Sequence, residues 1–139
     1  IGLVHLLDMG ITAATGHGFT QIMGWFFRPF AFLMGVPWND VPAVAELLGT
    51  KTVLNEFLAY SNLTPLIKDQ VIGPRSIVIA TYALCGFANP GSMAIAIGGL
   101  SGLVPERRAE IAQLGIKSFV GGTLACFMTA CVAGIIIHG

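Results

Sequence analysis

Charged residues are scarce in this sequence. Asp, Glu, Lys and Arg together make up 10% of the 139 residues, whereas an average soluble domain carries about 25%. The seven acidic and seven basic side chains cancel, so no net field favours nucleic acid or an acidic surface as a partner. Hydrophobic residues supply 55% of the chain, and the mean hydropathy is +0.80. This composition is typical of an integral membrane protein.

Patterns that bind metals or perform catalysis are also missing. The three cysteines have neither CxxC nor metal-ligand spacing, which is typical of small apolar packing residues. The three histidines are scattered, and no nucleophile lies beside a base, so we predict neither an enzyme nor a cofactor or metal site. The residues concerned are Cys85, Cys126, Cys131, His5, His17 and His138.

The N-terminal part of the chain predicts two elements. The sequence opens at Ile1 within apolar residues and has no basic segment ahead of them, which argues against a signal peptide. We therefore expect a C-terminal or internal piece of a longer protein, with residues 1–16 as the end of a transmembrane helix. Residues 17–35 are rich in Phe and Trp and carry Arg28, which predicts an interfacial amphipathic helix.

Two long uncharged runs predict membrane-spanning segments. Residues 118–137 are twenty uncharged residues, or about 30 Å of helix, which matches one bilayer core. We predict a last transmembrane helix over 114–138. Residues 76–105 are thirty uncharged residues, too long for one upright helix at about 45 Å. The middle of this run is Cys85-Gly86-Phe87-Ala88-Asn89-Pro90-Gly91-Ser92, where the proline and the flanking glycines favour irregular backbone. We therefore predict a transmembrane helix over 75–104 that is broken there.

Residues 36–62 predict a re-entrant helical hairpin. Asp40 is a candidate N-cap for a short helix that ends near Leu48, and Gly49-Thr50 would form the turn. A second short helix would run from about Thr52 to Tyr60. Each arm is about 15 Å long, or half a bilayer. The segments 62–74 and 104–113 are predicted loops, and the fold class is all-α.

One carboxylate stands out within this hairpin. Glu56 follows Asn55 in an otherwise apolar stretch, and a charge in hydrocarbon costs several kcal/mol unless it faces a cavity or a partner. Asn89 and Ser92 at the helix break would lie at a similar membrane depth. Transporters build substrate sites from such broken helices and hairpin tips. An acceptor carboxylate beside amides suits the vicinal hydroxyls of a sugar, and Phe87 suits the face of an aromatic base.

Each of these residues also has a structural interpretation. Glu56 could pair with Lys51 or with a helix outside this chain, and Asn89 could simply cap the second half-helix. Ser92 could serve helix packing, and Phe87 could face lipid or serve packing. Lys51 is interpreted as a charge at the hairpin tip that reaches water.

The hairpin motif resembles the signature of the concentrative nucleoside transporter family. The signature has Gly or Ala, then Lys after one residue, then Asn-Glu-Phe-Val-Ala after three more, and finally an aromatic residue or Met. Leu58 replaces the usual Val here. The segments that carry the likeness are Gly49-Thr50-Lys51-Thr52-Val53-Leu54-Asn55-Glu56-Phe57-Leu58-Ala59-Tyr60, Gly35-Val36-Pro37-Trp38, Ala80-Thr81-Tyr82-Ala83-Leu84-Cys85-Gly86-Phe87-Ala88-Asn89 and Gly98-Gly99-Leu100.

The resemblance implies a function and a set of site residues. It implies a bacterial-type, cation-coupled nucleoside symporter whose transport domain moves against a trimeric scaffold, with this chain as its C-terminal part. Glu56 would bind ribose hydroxyls, while Phe87, Asn89 and Ser92 would lie near the ribose and the base. Asn55 belongs to the same motif and is a further candidate for substrate contact.

The resemblance also sets expectations for the surroundings of the protein. It implies a multi-pass protein of the cell (inner) membrane and a homotrimer. The expected partners are a nucleoside and the lipid bilayer, with no nucleic acid. The site for the coupling ion, Na+ or H+, is expected outside this chain. The alternative function is a gated channel or receptor-like membrane protein built on the same broken helices.

Overall fold

The computed structural model describes residues 9–13 and 16–137. This part of the chain is helical and contains no strand, which confirms the predicted all-α class. The predicted transmembrane end over 1–16 lies mostly outside the described residues, and so does His138. Residues 9–13 are helical, and the elements after them are α1 (Phe19–Leu33), α2 (Val41–Val53), α3 (Glu56–Lys68), α4 (Pro74–Leu84), α5 (Pro90–Leu103), a 3-10 turn (Pro105–Arg107) and α6 (Arg108–Ile136).

Helices α1 and α2 pack with their backbones in close contact. A Cβ atom built on Gly49 of α2 would lie 2.7 Å from the Thr20 carbonyl oxygen and 2.9 Å from the Gly24 nitrogen of α1. Glycine is therefore needed for the approach of the two helices, as at many contacts between membrane helices. The predicted turn at Gly49-Thr50 is wrong, because both residues lie inside the continuous helix α2.

The chain turns instead at Leu54 and Asn55. Leu54 ends α2, and Asn55 is extended at φ −166°. The Asn55 side chain accepts a hydrogen bond from the Leu58 backbone nitrogen at 2.9 Å. This N-cap starts α3 at Glu56, so the second arm begins later than predicted. The arm also runs on through Pro65 to Lys68, and the predicted loop from residue 62 is therefore helical over its first half.

The start of α2 is tied to the start of α4. Asp40 occupies the N-cap position of α2 but makes no capping bond there with its side chain. Its carboxylate oxygen Oδ2 instead accepts hydrogen bonds from the Gly73 nitrogen, at 2.9 Å, and from the Ser76 hydroxyl. Asp40 thus links two helices rather than capping one.

Helices α4 and α5 are separated by five non-helical residues, 85–89. Helix α4 is well buried, whereas α5 buries none of its residues. Helix α6 packs on α4, and its buried residues are Phe127, Ala130, Ala133 and Gly134. It begins six residues earlier than the predicted span over 114–138, so the predicted loop over 104–113 is partly helical. Within the described residues, Pro105–Ile136 is the one helix long and apolar enough to cross a membrane.

The close contact between α1 and α2 leads to a stability prediction. Gly49→Ala inserts a methyl group where backbone atoms already stand at 2.7 and 2.9 Å, and overpacking of this kind costs about 1–3 kcal/mol. We expect a lower melting temperature and less folded protein when the full-length protein is heated in detergent. The matched control is Gly98→Ala in α5, where an added Cβ meets no atom within 4 Å. Equal melting temperatures for the two variants would contradict this packing.

Candidate functional site

The N-termini of α3 and α5 meet at a hydrogen bond between two buried side chains. Glu56 is the first residue of α3, and Asn89 is the N-cap of α5. The Asn89 Nδ2 atom donates a hydrogen bond to Glu56 Oε2 at 2.7 Å, and the two residues are 2% and 9% exposed. Residues 33 positions apart in the sequence therefore form one polar centre.

The orientation of the Asn89 amide is set by its own helix. Its oxygen Oδ1 accepts a hydrogen bond from the Ser92 backbone nitrogen at 2.8 Å, which caps α5. Since the oxygen is engaged, the amide nitrogen points toward Glu56. Asn89 thus performs the capping role and also contacts the carboxylate. Asn55 caps α3 in the same way, through Leu58.

The Glu56 carboxylate lies beside the N-termini of two helices. The side chain lies at the N-terminal end of α3 and contacts the N-cap of α5, and helix N-termini carry partial positive charge. No ion pair forms between Glu56 and Lys51, so the predicted alternative of a salt bridge within the hairpin is wrong. The second oxygen, Oε1, makes no hydrogen bond to a described residue. That oxygen is available to accept a hydrogen bond from a ligand.

Phe87 and Ser92 lie on a neighbouring cavity of about 560 Å³. Its walls are mostly apolar side chains of α5 and α6, and Phe87 is 76% exposed. Glu56, Asn89 and Asn55 do not line this cavity. The hydrogen bond between Asn89 and the Ser92 backbone joins the two groups of predicted residues. The structure therefore shows a polar pair and an adjacent apolar cavity.

Lys51 does not reach water at a hairpin tip, and that prediction is wrong. The residue is 1% exposed, and its Nζ atom donates a hydrogen bond to the Ala83 carbonyl oxygen of α4 at 2.9 Å. From α3, the Tyr60 hydroxyl donates to the Thr81 carbonyl oxygen at 2.7 Å. Sequence reasoning missed both contacts. One signal was present, because the argument that a charge in an apolar stretch needs a partner applies to Lys51 as it does to Glu56.

Residues 1–134 match the family described as "Na+ dependent nucleoside transporter C-terminus". The chain belongs to the concentrative nucleoside transporter family. The resemblance seen in the hairpin motif is thereby confirmed, and the chain represents the C-terminal portion of a transporter. Membership of this family makes it part of an integral membrane protein rather than an enzyme.

Relatives of this concentrative nucleoside transporter segment are longer than the chain itself. Solute carrier family 28 member 3 of Eptatretus stoutii is 50% identical to this chain, and the match covers 85% of this chain and 19% of that relative. Sodium/nucleoside cotransporter 1 of Rattus norvegicus is 44% identical, and the match covers 87% of this chain and 21% of that relative. The chain therefore spans about a fifth of the length of these curated relatives.

A solved transporter structure shares the fold. CNTnw in an inward-facing substrate-bound state is 39% identical and superimposes with a TM-score of 0.85. The match covers 96% of this chain and 33% of that structure. The helices described above therefore correspond to about a third of that structure.

Proposed function

We propose that the whole protein is a cation-coupled nucleoside symporter and that this chain supplies the carboxylate that binds the ribose. One observation carries the proposal. The buried Glu56 carboxylate is held through Oε2 by Asn89, while its other oxygen makes no hydrogen bond to a described residue. Family membership and the name of the rat relative, a sodium/nucleoside cotransporter, support the substrate class.

The chemistry of the site fits a neutral ligand with vicinal hydroxyls. Glu56 Oε1 would accept hydrogen bonds from the 2′ and 3′ hydroxyls of ribose, and such bonds to a charged acceptor are stronger than neutral ones. Ser92 and Asn89 would lie beside the sugar, and Phe87 would pack against the base above the apolar cavity. Asn55 would act on the ligand indirectly, because its side chain oxygen is occupied by the cap of α3.

The same proposal assigns the helices to the membrane. Helices α2 and α3 would form the re-entrant hairpin over 36–62, α4 and α5 the broken transmembrane helix over 75–104, and α6 the last span. The helix within 17–35 would lie at the interface, since Trp25, Phe26 and Phe32 in α1 are each at least half exposed. The end of a scaffold helix would fall within residues 1–16.

The remaining expectations concern the complete transporter. Substrate bound between this segment and the rest of the transport domain would cross the bilayer by alternating access. The coupling ion, Na+ or H+, would bind outside this chain. The protein would be a homotrimer in the cell (inner) membrane.

Counterflow in proteoliposomes tests this function. Vesicles that contain the full-length protein are loaded with unlabelled uridine and diluted into a trace of labelled uridine. We expect transient accumulation of label above equilibrium, because a carrier exchanges one molecule for another. A channel would let the label equilibrate without any overshoot, and this result would contradict the proposal.

The choice of solute and ion makes the test specific. Internal 2′,3′-dideoxyuridine should drive little or no overshoot, because it lacks both hydroxyls that Glu56 is proposed to bind. Replacement of Na+ by choline at constant pH, and a pH gradient without Na+, then identify the coupling ion. Equal overshoot with uridine and its dideoxy analogue would contradict the ribose role of Glu56.

A further inference from the structure

The C-terminal end of α4 is held by side chains from both arms of the hairpin. The last carbonyl groups of a helix have no partner within the helix and need one elsewhere. Here Lys51 of α2 donates to the Ala83 carbonyl oxygen, and Tyr60 of α3 donates to the Thr81 carbonyl oxygen. Two of the free carbonyl groups of α4 are therefore satisfied by the element that carries Glu56.

Burying Lys51 costs more free energy than burying an apolar side chain at the same position. It is among the most deeply buried large side chains of the described residues, and a buried ammonium group is unfavourable unless it is bonded. Its charge lies at the negative end of the α4 dipole, where a cation is stabilised. An apolar side chain would fill the space but would leave the Ala83 carbonyl without this donor.

The space around the break is tightly filled. A Cβ atom built on Gly86 would lie 3.8 Å from Lys51 Nζ and 2.1 Å from the Sγ atom of Cys126 in α6. The chain directly after α4 is therefore confined between the hairpin and α6. A shift of the α4 end would move residues 85–89 as well.

Two hydrogen bonds join the hairpin to the end of α4 and to the segment that follows it. One runs from Lys51 to Ala83, and the other from Asn89 to Glu56. The connecting backbone is short on both sides, with residues 51–56 in the hairpin and 83–89 across the break. When the first bond is present, the position of Asn89 relative to Glu56 is restricted. When it is absent, this restraint on the position of Asn89 is lost.

We propose that Lys51, assisted by Tyr60, is a positioning residue for nucleoside binding. It holds the end of α4 against the hairpin, so that residues 85–89 deliver Asn89 to the Glu56 carboxylate. This inference rests on the proposed function, since it assigns a role within the same site. Lys51 itself touches neither the ribose nor the base.

The role has a kinetic consequence that differs from simple loss of folding. If only a fraction of molecules has Asn89 in place, the apparent affinity falls by that fraction. Saturating nucleoside draws the remaining molecules into the binding-competent state, so Vmax per molecule is retained. A residue that served folding alone would lower the amount of transporter and leave KM unchanged.

The test measures initial uridine uptake by the full-length transporter and normalises it to the amount in the membrane. For Lys51→Met we expect KM to rise about tenfold or more, and for Tyr60→Phe about two- to fivefold, with Vmax per molecule within about twofold of wild type. The control is Lys68→Met, which removes an exposed lysine at the end of α3 and should leave KM unchanged.

Tyr60→Phe keeps the aromatic ring and removes only the hydroxyl. This variant tests the positioning role if Lys51→Met does not reach the membrane. The positioning role alone is overturned if the wild-type protein takes up uridine normally and KM is unchanged in every variant that reaches the membrane. Absence of uridine uptake by the wild-type protein would overturn the proposed function and, with it, this inference.

Discussion

Glu56→Gln is expected to lower uridine uptake by the full-length transporter at least about 100-fold. The glutamine keeps the size of the side chain. Its oxygen can still accept the hydrogen bond that Asn89 Nδ2 now donates to Glu56 Oε2 at 2.7 Å. What is lost is the negative charge. Hydrogen bonds to a charged group contribute about 1.5–3 kcal/mol each, and two ribose hydroxyls would lose part of this; about 1.4 kcal/mol corresponds to a tenfold change.

Uptake per molecule in the membrane is the measurement, and Glu106→Gln is the matched control. Glu106 is an exposed glutamate in the turn between α5 and α6, so its replacement should leave uptake at the wild-type level. Wild-type KM and Vmax in Glu56→Gln at equal abundance would remove Glu56 from the ribose site.

Asn89→Asp is expected to abolish measurable uptake. Aspartate is as good an N-cap as asparagine, so the start of α5 is preserved. However, the donor that faces Glu56 Oε2 becomes an acceptor, and two carboxylates then share the contact that now measures 2.7 Å. Two like charges about 4 Å apart repel by about 4 kcal/mol at an effective dielectric constant of about 20, which corresponds to roughly a thousandfold loss.

Asn89→Ser separates the effect of charge from the loss of the hydrogen bond. Serine also caps helices but brings no charge and does not replace the Nδ2 donor. We expect Asn89→Ser to retain weak uptake with a raised KM, and Asn89→Asp to retain none. Both variants should be compared at equal abundance in the membrane, with detergent melting curves as a check on folding. Equal uptake in the two variants would show that repulsion at Glu56 does not matter.

Local features could be predicted from the sequence where the chemistry of a residue allows one main structural role. Glu56 in an apolar stretch called for a partner, and the structure provides Asn89. Asn89-Pro90 in a long uncharged run indicated an interruption, and α5 begins there. These predictions needed only the chemistry of the residues themselves and the length of a membrane-spanning helix.

Gly49 shows where such reasoning fails. Glycine can end a helix or let two helices touch, and only the position of α1 decides between these uses. The turn was therefore predicted about five residues too early, and the capping role of Asn55 was overlooked. The partner of Lys51 was equally out of reach, because the Ala83 carbonyl lies 32 residues further along the chain.

The links of Asp40 have a consequence for the proposed transport cycle. Asp40 joins the start of α2 to the start of α4, while Lys51 joins the ends of the same two helices. The helices therefore run side by side in the same direction and are connected at both ends, so these bonds oppose tilting or sliding of one helix against the other. In the proposed transport cycle we expect the two helices to move as one rigid body, with bending at residues 85–89 and at Leu54-Asn55.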